Sequence, residues 1–160
     1  SYGDPPYCPP LIKCVSDKGQ EVRAIVWDTL SAEAYRGLSS AYYRGAVVVF
    51  LVYSIADRQS FDAIDKWLAD MQGKTGGESI IFLVGNKIDL ANERAVSFRE
   101  GKEKALSIGA EFHEVSAAED IGIQELFNDI ARAYFARESG KDTSSPLESA
   151  EPAPREICKI

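Results

Sequence analysis

Residues 83–90 read Leu83-Val-Gly-Asn-Lys-Ile-Asp-Leu90 and continue an apolar run that begins at Ile80. Apolar runs without alternation are typical of strands buried on both faces of a parallel sheet, and residues 46–52 form a second such run. Ligands bind at the carboxyl ends of strands in such sheets. Asn86, Lys87 and Asp89 therefore fall where a ligand site is expected.

The rest of the chain alternates between strand and helix patterns. Leu11–Val15 and Val22–Trp27 flank a turn signal at 17–20 and predict a hairpin, and Glu111–Val115 is a further strand candidate. Apolar spacing and capping residues predict helices at 61–71 behind Ser60 as N-cap, at 97–108 behind the capping box Ser97–Glu100, at 123–134 and at 33–43. The predicted fold class is α/β, a doubly wound, mostly parallel sheet with helices on both faces.

Length and composition favour one soluble domain. The chain has 160 residues, of which 27% are charged, and a net charge of -7 without a basic run, which argues against nucleic-acid binding. Residues 1–10 contain four prolines and are expected to form an irregular arm. The predicted domain spans 11–138, and 139–160, rich in Ser, Pro, Glu and Ala, is expected to be a flexible tail.

Cysteine usage and hydropathy indicate a cytoplasmic protein. Cys8, Cys14 and Cys158 show no CxxC spacing, so neither a disulfide framework nor a zinc site is expected. The longest apolar run, 45–53, is too short to span a bilayer, and the N-terminus has no signal-peptide pattern. We expect a monomer.

The polar residues after the Ile80 run have a specific use in recognising guanine. A carboxylate such as that of Asp89 can accept two parallel hydrogen bonds from the N1–H and exocyclic amine of guanine. The stem of Lys87 can lie over the base, Asn86 can tie neighbouring loops together, and Ser116-Ala117 can offer a backbone N–H to the base carbonyl. The alternative is a solvated turn, because Asn, Lys and Asp are common turn residues.

Several separated motifs together resemble the Rab/Ypt small GTPases of the Ras superfamily. They are Trp27-Asp-Thr29, Tyr42-Tyr-Arg-Gly-Ala46, Leu51-Val-Tyr53, Leu83–Leu90 and Val115-Ser-Ala117. Residues 60–67 and 100–104 are most similar to the Golgi-trafficking branch. The resemblance covers about 22–135 and implies a P-loop GTPase-like fold, GTP or GDP with Mg²⁺ as cofactors, and trafficking effectors and regulators as partners. It also implies a peripheral place on Golgi or vesicle membranes.

The chain departs from the family pattern where the phosphates would be held. No GxxxxGK[ST] phosphate loop occurs in the 160 residues, so the family's first strand, phosphate loop and first helix would precede Ser1. Ser31 stands at the family's glycine, and Ala32 at the glutamine that orients the attacking water. Ala118 replaces the usual lysine of the base pocket. Asp28 keeps the position of the acid linked to Mg²⁺.

These departures lead to three alternatives. The leading hypothesis is a Rab-like protein that, as given, neither binds GTP tightly nor hydrolyses it. The alternatives are a nucleotide-free pseudo-GTPase interaction module and a fragment of an incomplete gene model, which 5′ sequencing of the transcript would reveal. Without its first strand, the family's sheet has a gap between the Val22 and Ala46 strands. We expect a cleft there, direct closure of the two strands, or an unstable fragment.

Four further residues could have a functional or a structural role. Trp27 and Tyr42 fit either an effector-binding surface or core packing. His113, the single histidine, is expected to have a structural role. Cys158 stands third from the end of the given sequence, whereas a C-a-a-X lipidation box needs the fourth position, so a lipid anchor and a free thiol both stay open.

Overall fold

A computed structural model describes residues 11–28, 45–74, 79–140 and 155–159, with side chains described for 17–27, 45–74 and 79–140. Its strands are β1 (Leu11–Asp17), β2 (Gln20–Asp28), β3 (Val48–Ser54), β4 (Ile80–Asn86), β5 (Glu111–Glu114) and β6 (Arg155–Lys159). They form one sheet in the order β1-β2-β6-β3-β4-β5. The hairpin β1–β2 is antiparallel and every other pair is parallel, so the predicted hairpin and parallel sheet are confirmed.

The helices are α1 (Arg58–Asp62), α2 (Ile64–Met71), α3 (Phe98–Ile108) and α4 (Ile123–Ser139), with a 3-10 segment at Ile88–Glu93. The predicted capping box is confirmed, because Ser97 and Glu100 each bond the other's backbone N–H. The predicted N-cap at Ser60 is wrong. The Asp57 carboxylate accepts from the N–H groups of Gln59 and Ser60 and starts the helix three residues earlier. The predicted helix at 33–43 lies outside the described residues.

Alternate residues of the central strands are buried against different helices, which confirms a sheet covered on both faces. On one face, Val48, Phe50, Phe82 and Val84 pack with Leu126 and Ile130 of α4. On the other face, Val49, Leu51 and Leu83 pack with Ile64 and Met71 of α2 and Ala105 of α3. Because both faces are covered, the carboxyl-end loops of β4 and β5 are fixed against a rigid base.

Strand β6 lies between β2 and β3 and corrects two expectations. The tail prediction for 139–160 does not hold for 155–159, which form a strand, nor for Ser139, which ends α4. The expectation of a cleft or of direct closure between β2 and β3 is also wrong, because β6 pairs with both strands. The physical reason is that β6 satisfies the backbone donors and acceptors that two open central edges would leave unpaired.

The capping residue Glu100 gives the protein a specific acid sensitivity. Hydrogen bonds from the Ser97 backbone, the Arg58 guanidinium and the Ser97 hydroxyl lower the pKa of Glu100 from 4.5 to about 2. A depressed carboxyl pKa stabilises the folded state above pH 4.5, and this contribution is lost as the pH falls towards 2. We therefore expect Glu100→Gln to destabilise the protein at neutral pH, with a deficit that shrinks steadily below pH 4.5.

Urea unfolding of wild type and variant across this pH range measures the deficit. Glu103→Gln on the same helix is the control for losing one negative charge, since Glu103 pairs with Arg99 on an exposed surface. A deficit for Glu100→Gln that is equal at pH 6 and about pH 3 would contradict the assigned pKa.

Candidate functional site

The loops that follow β4 and β5 lie side by side at the carboxyl edge of the sheet. The Val115 N–H donates to the Gly85 carbonyl at 2.8 Å, and the Ile88 N–H donates to the Val115 carbonyl at 3.2 Å. These bonds extend the β4–β5 pairing beyond the strands themselves. They bring residues 86–89 next to residues 116–118, which are thirty positions away in the sequence.

Asn86 ties the two loops together through its side chain. Its Oδ1 accepts from the Lys87 N–H at 2.8 Å and from the Ala117 N–H at 3.1 Å. Lys87 adopts φ 67° and ψ 40°, a left-handed conformation that is uncommon for a residue other than glycine. The chain therefore turns sharply between Asn86 and Asp89, and the exposed Lys87 lies at the turn.

Ser116 orients the carboxylate of Asp89. The fully buried Ser116 hydroxyl donates to Asp89 Oδ1 at 2.6 Å and accepts from the Glu119 N–H at 3.1 Å. Asp89 itself is exposed. A carboxylate that is held by a buried hydroxyl and still reaches solvent can accept a pair of parallel N–H donors from a planar ligand.

The turn after Ser116 closes on itself and adds a requirement that the sequence patterns did not reveal. Ser116 and Ile121 exchange two backbone hydrogen bonds, of 3.0 and 2.9 Å. Gly122, which precedes α4, has φ 73°, and a Cβ there would lie 3.1 Å from the Glu114 carbonyl oxygen. Gly122 is therefore a positioning residue for the 116–121 turn. The signal available in the sequence was a glycine directly before a helical pattern.

A buried tyrosine and an ion pair support the strand ends beneath these loops. Arg94 forms two hydrogen bonds, of 2.7 and 2.9 Å, with the Glu114 carboxylate. Burial, and next the nearby Glu114 charge, raise the pKa of Tyr53. A Cβ on Gly85 would lie 2.9 Å from the Tyr53 hydroxyl, so the glycine before Asn86 makes room for this ring. Within the described residues, that hydroxyl has no hydrogen-bond partner.

The remaining predicted site residues are distributed around this edge or lie outside the described part. Ala118 is exposed in the second loop, two positions after Ser116. Asp28 is the last residue of β2, in register with Lys159, and Trp27 is half-buried on the same strand. Ala32 and Tyr42 lie outside the described residues. Cys158 is in β6, in register with Trp27 on one side and Val49 on the other.

Three further observations concern the single histidine, metal binding and membrane-spanning helices. His113 Nε2 lies 3.0 Å from Asp129 Oδ2, a contact between β5 and α4 that fits the expected structural role. Among the described ranges, no group of three or more His, Cys, Asp or Glu side chains is arranged to hold a metal ion. In the same ranges, no helix is long and apolar enough to cross a membrane.

Comparison with known proteins relates the chain to one family. The Ras family model matches residues 10–136. The chain is 39% identical over 142 residues to the Ras-related protein RGP2 of Oryza sativa subsp. japonica, covering 89% of the chain and 65% of the relative. It is 34% identical over 143 residues to the Ras-related protein Rab-10 of Caenorhabditis elegans, covering 86% and 71%. It is 42% identical over 118 residues to the Ras-related protein Rab2BV of Beta vulgaris, covering 74% and 55%. The matches thus span between 55% and 71% of the length of these relatives.

Proposed function

The chain belongs to the Ras family and is of the Rab type, and from this membership we propose that its loops after β4 and β5 recognise a guanine base. The observation that carries the proposal is the Asp89 carboxylate, oriented by the buried Ser116 hydroxyl at 2.6 Å and still exposed. The Asn86 bond to Ala117 fixes the second loop relative to the first.

The preference for guanine follows from the donors and acceptors of the base. Guanine presents N1–H and an exocyclic amine to a carboxylate, whereas adenine has an acceptor at N1 and no amine beside it. An adenine in this position would place the lone pair of its N1 against the Asp89 carboxylate and offer no N–H donor to it. Leaving the carboxylate unpaired costs roughly 1–3 kcal/mol of binding free energy. The Ala117 N–H already donates to Asn86 Oδ1 at 3.1 Å, so a base carbonyl that reaches this loop would share that donor with Asn86 or replace Asn86 as its acceptor.

The phosphates are proposed to add little affinity in the 160-residue chain. Tight phosphate binding by this family depends on a loop of backbone N–H groups, a helix N-terminus and a lysine, and no GxxxxGK[ST] sequence occurs in these residues. Ala32 cannot orient a water, because its methyl group neither donates nor accepts a hydrogen bond. We therefore expect weak nucleotide binding and no acceleration of GTP hydrolysis. Asp28 is the residue that would face Mg²⁺ in a complete site.

A second candidate function is a nucleotide-free interaction module of the Rab type. The observation that favours it is β6, which pairs in parallel with β2 and β3. The resemblance places the family's first strand, which leads into the phosphate loop, in this same gap. Because two strands cannot occupy the gap at once, we propose that the arrangement with β6 inserted offers a partner surface without the phosphate site.

In the cell, the proposed role is vesicle traffic around the Golgi, with effectors and regulators of Rab proteins as partners. The similarity of 60–67 and 100–104 to the Golgi branch supports this assignment. Trp27 is the described residue of the proposed effector surface, and a lipid on Cys158 is the proposed means of peripheral membrane attachment. The protein is proposed to act as a monomer.

Titration of the 160-residue chain with guanosine, adenosine and GTP tests the base proposal. We expect guanosine to bind at least about tenfold more tightly than adenosine, a difference of about 1.4 kcal/mol. GTP is expected to bind within about tenfold of guanosine, because the base supplies most of the contact. Equal binding of guanosine and adenosine would refute base recognition. Guanine-specific binding of GTP with a Kd below about 1 µM, which corresponds to a binding free energy of about -8 kcal/mol, would instead refute the proposal that the phosphates add little affinity.

A further inference from the structure

The two loops of the candidate site are joined a second time, at the far end of the segment that carries Asp89. Asp89 lies in the 3-10 segment Ile88–Glu93, and Arg94 follows that segment directly. Glu114 is the last residue of β5 and precedes Ser116 by two positions. The ion pair between Arg94 and Glu114 therefore connects the end of the first loop to the start of the second.

This ion pair is bidentate and only partly exposed. Arg94 Nη1 donates to Glu114 Oε1 at 2.7 Å, Arg94 Nη2 donates to Glu114 Oε2 at 2.9 Å, and the two side chains are 29% and 11% exposed. Arg94 Nη1 also donates to the Val96 carbonyl at 3.0 Å. Two parallel bonds from a rigid guanidinium fix the orientation of a carboxylate as well as its distance. The pair therefore constrains the geometry more than a single-bond contact does, such as that of Arg99 with Glu103.

The backbone that carries the Arg94 side chain is anchored to the loop after β3. The Ala95 and Val96 N–H groups both donate to the Ile55 carbonyl, at 2.8 and 3.0 Å. The Arg58 guanidinium donates to the Ala95 carbonyl at 2.9 Å. Because Ile55 is 0% exposed and belongs to the core cluster that includes residues of α2 and α3, the Arg94 side chain starts from a fixed position.

The turn that carries Asp89 is thus attached to the end of β5 on both sides. Before Asp89, the Ile88 N–H donates to the Val115 carbonyl at 3.2 Å, and after it, the ion pair makes the second attachment. The segment between these attachments is interrupted at Leu90, whose φ of -89° and ψ of 37° are not helical. A single attachment would leave this interrupted segment free to pivot, so the second attachment fixes the direction of the carboxylate.

We propose that Arg94 and Glu114 are positioning residues for base recognition, and that their paired bonds hold the Asp89 carboxylate and the Ala117 N–H at the spacing that a guanine base requires. The direct bonds between the loops are insufficient for this, because Asp89 and Ala117 are exposed and water competes for their hydrogen bonds. The inference rests on the proposed function for the identity of the ligand. Its structural half, that the ion pair orders the two loops, is tested without any nucleoside.

Amide hydrogen exchange of the full chain tests the structural half. Arg94→Gln is expected to accelerate exchange of the Ala117 and Ile88 N–H groups at least about tenfold, since both groups bond across the two loops. Exchange of Val84, which pairs with β3 in the centre of the sheet, is expected to stay unchanged. Unchanged exchange at Ala117 would overturn the inference. Equal acceleration at Ala117 and Val84 would also overturn it, because the ion pair would then support the whole fold rather than the loops.

Arg99→Gln is the matched control, because it removes the same kind of side chain from an ion pair whose members are 84% and 60% exposed on α3. It is expected to leave exchange at Ala117 unchanged. Arg94→Lys keeps the charge but has no planar fork, so it is expected to resemble Arg94→Gln at Ala117. Wild-type exchange in Arg94→Lys would show that charge alone suffices, and would overturn the role assigned to the paired bonds.

Glu114→Gln and the double variant with Arg94→Gln test whether the two residues act as one unit. Each single variant disrupts the same contact, so the double variant is expected to accelerate exchange at Ala117 about as much as either single variant does. Accelerations that multiply in the double variant would mean that Arg94 and Glu114 act separately, and would overturn the inference that they act as a pair.

Nucleoside titration then connects the order of the loops to base recognition. Arg94→Gln is expected to weaken guanosine binding about tenfold and adenosine binding less than about twofold, because only guanosine uses the oriented Asp89 carboxylate. An unchanged ratio of the two affinities in a variant with faster exchange at Ala117 would overturn the inference. If the wild type itself shows no preference for guanosine, the proposed function fails and the base-recognition half of the inference falls with it. The exchange measurements then still decide whether the ion pair orders the loops.

Discussion

Replacing Asp89 by alanine is expected to abolish the proposed preference of the chain for guanosine over adenosine. In the folded protein, Asp89 is exposed and Ser116 directs one of its oxygens. Removing the carboxylate removes both acceptors for the guanine edge. Because hydrogen bonds to charged groups contribute roughly 1.5–3 kcal/mol, guanosine affinity should fall about 10–100-fold while adenosine affinity is little changed. Parallel titrations of the two nucleosides measure the change.

Asp70→Ala is the matched control, since it removes the same side chain from α2, away from both loops. It is expected to leave guanosine and adenosine binding unchanged. Asp89→Asn is a sharper variant, because it keeps the shape of the side chain and replaces one acceptor by a donor. If either Asp89 variant still prefers guanosine by the wild-type ratio, then another group reads the base and the proposed role of Asp89 is wrong.

The effect of these variants on stability separates recognition from folding. The Asp89 carboxylate is the acceptor for the buried Ser116 hydroxyl, which keeps only the 3.1 Å bond that it accepts from the Glu119 N–H when the carboxylate is removed. We therefore expect Asp89→Ala to lower the free energy of unfolding by about 1 kcal/mol, whereas Asp89→Asn keeps an acceptor oxygen for the hydroxyl and is expected to change it less. Lost binding in an Asp89→Asn variant of nearly unchanged stability would show that the carboxylate acts on the ligand rather than on the loop.

The central part of the fold could be predicted from the sequence because local pattern and final environment agree there. The Ile80 run and residues 46–52 are apolar without interruption and became β4 and β3. Ser97 and Glu100 lie three residues apart before an apolar pattern, which is sufficient to predict the start of α3 at Phe98. In each case, neighbouring residues along the chain determine the structure.

The errors occur where local patterns are ambiguous or where distant segments meet. Asp57 and Ser60 are both good N-cap residues, and the apolar spacing of 61–71 runs across the junction at Ala63 that separates α1 from α2. The sequence pattern does not show that junction, so it predicts one helix behind Ser60 rather than a first helix that starts behind Asp57. Strand β6 has no apolar pattern, since Arg155, Glu156 and Lys159 are charged. Its position depends on the gap between β2 and β3, which is a property of the assembled sheet.

The candidate site likewise contains residues that the sequence predicts and residues that it does not predict. Asn86, Asp89, Ser116 and Ala117 were proposed from their chemistry and from the strand ends they follow, and the structure brings them within hydrogen-bond distance. The close fit of Gly85 beneath Tyr53 could not be inferred, because it depends on the packing of two strands. Residues that contact a ligand can be recognised by type, whereas residues that position them are recognised by their neighbours in space.

Replacing Phe82 by alanine is expected to give the largest loss of stability, about 3–5 kcal/mol. Phe82 is 0% exposed in the middle of β4, with its ring centroid 6.1 Å from that of Phe50 and 6.0 Å from that of His113. Truncation removes the transfer free energy of the ring and leaves a cavity that the rigid sheet cannot close. Urea unfolding measures the loss as a lower midpoint at unchanged slope.

Phe98→Ala is the matched control, because Phe98 is 53% exposed on α3 and contacts one ring, that of Phe112, at 5.2 Å. It is expected to cost less than about 1 kcal/mol, since most of its surface stays in water. Equal losses at the two positions would contradict the assignment of Phe82 to the core. Below its unfolding midpoint, the Phe82 variant should keep the proposed preference for guanosine, because Asn86 and the loops beyond it are held by hydrogen bonds that do not involve the ring. Loss of that preference in the folded variant would instead mean that the geometry of the strand end depends on packing in the middle of β4.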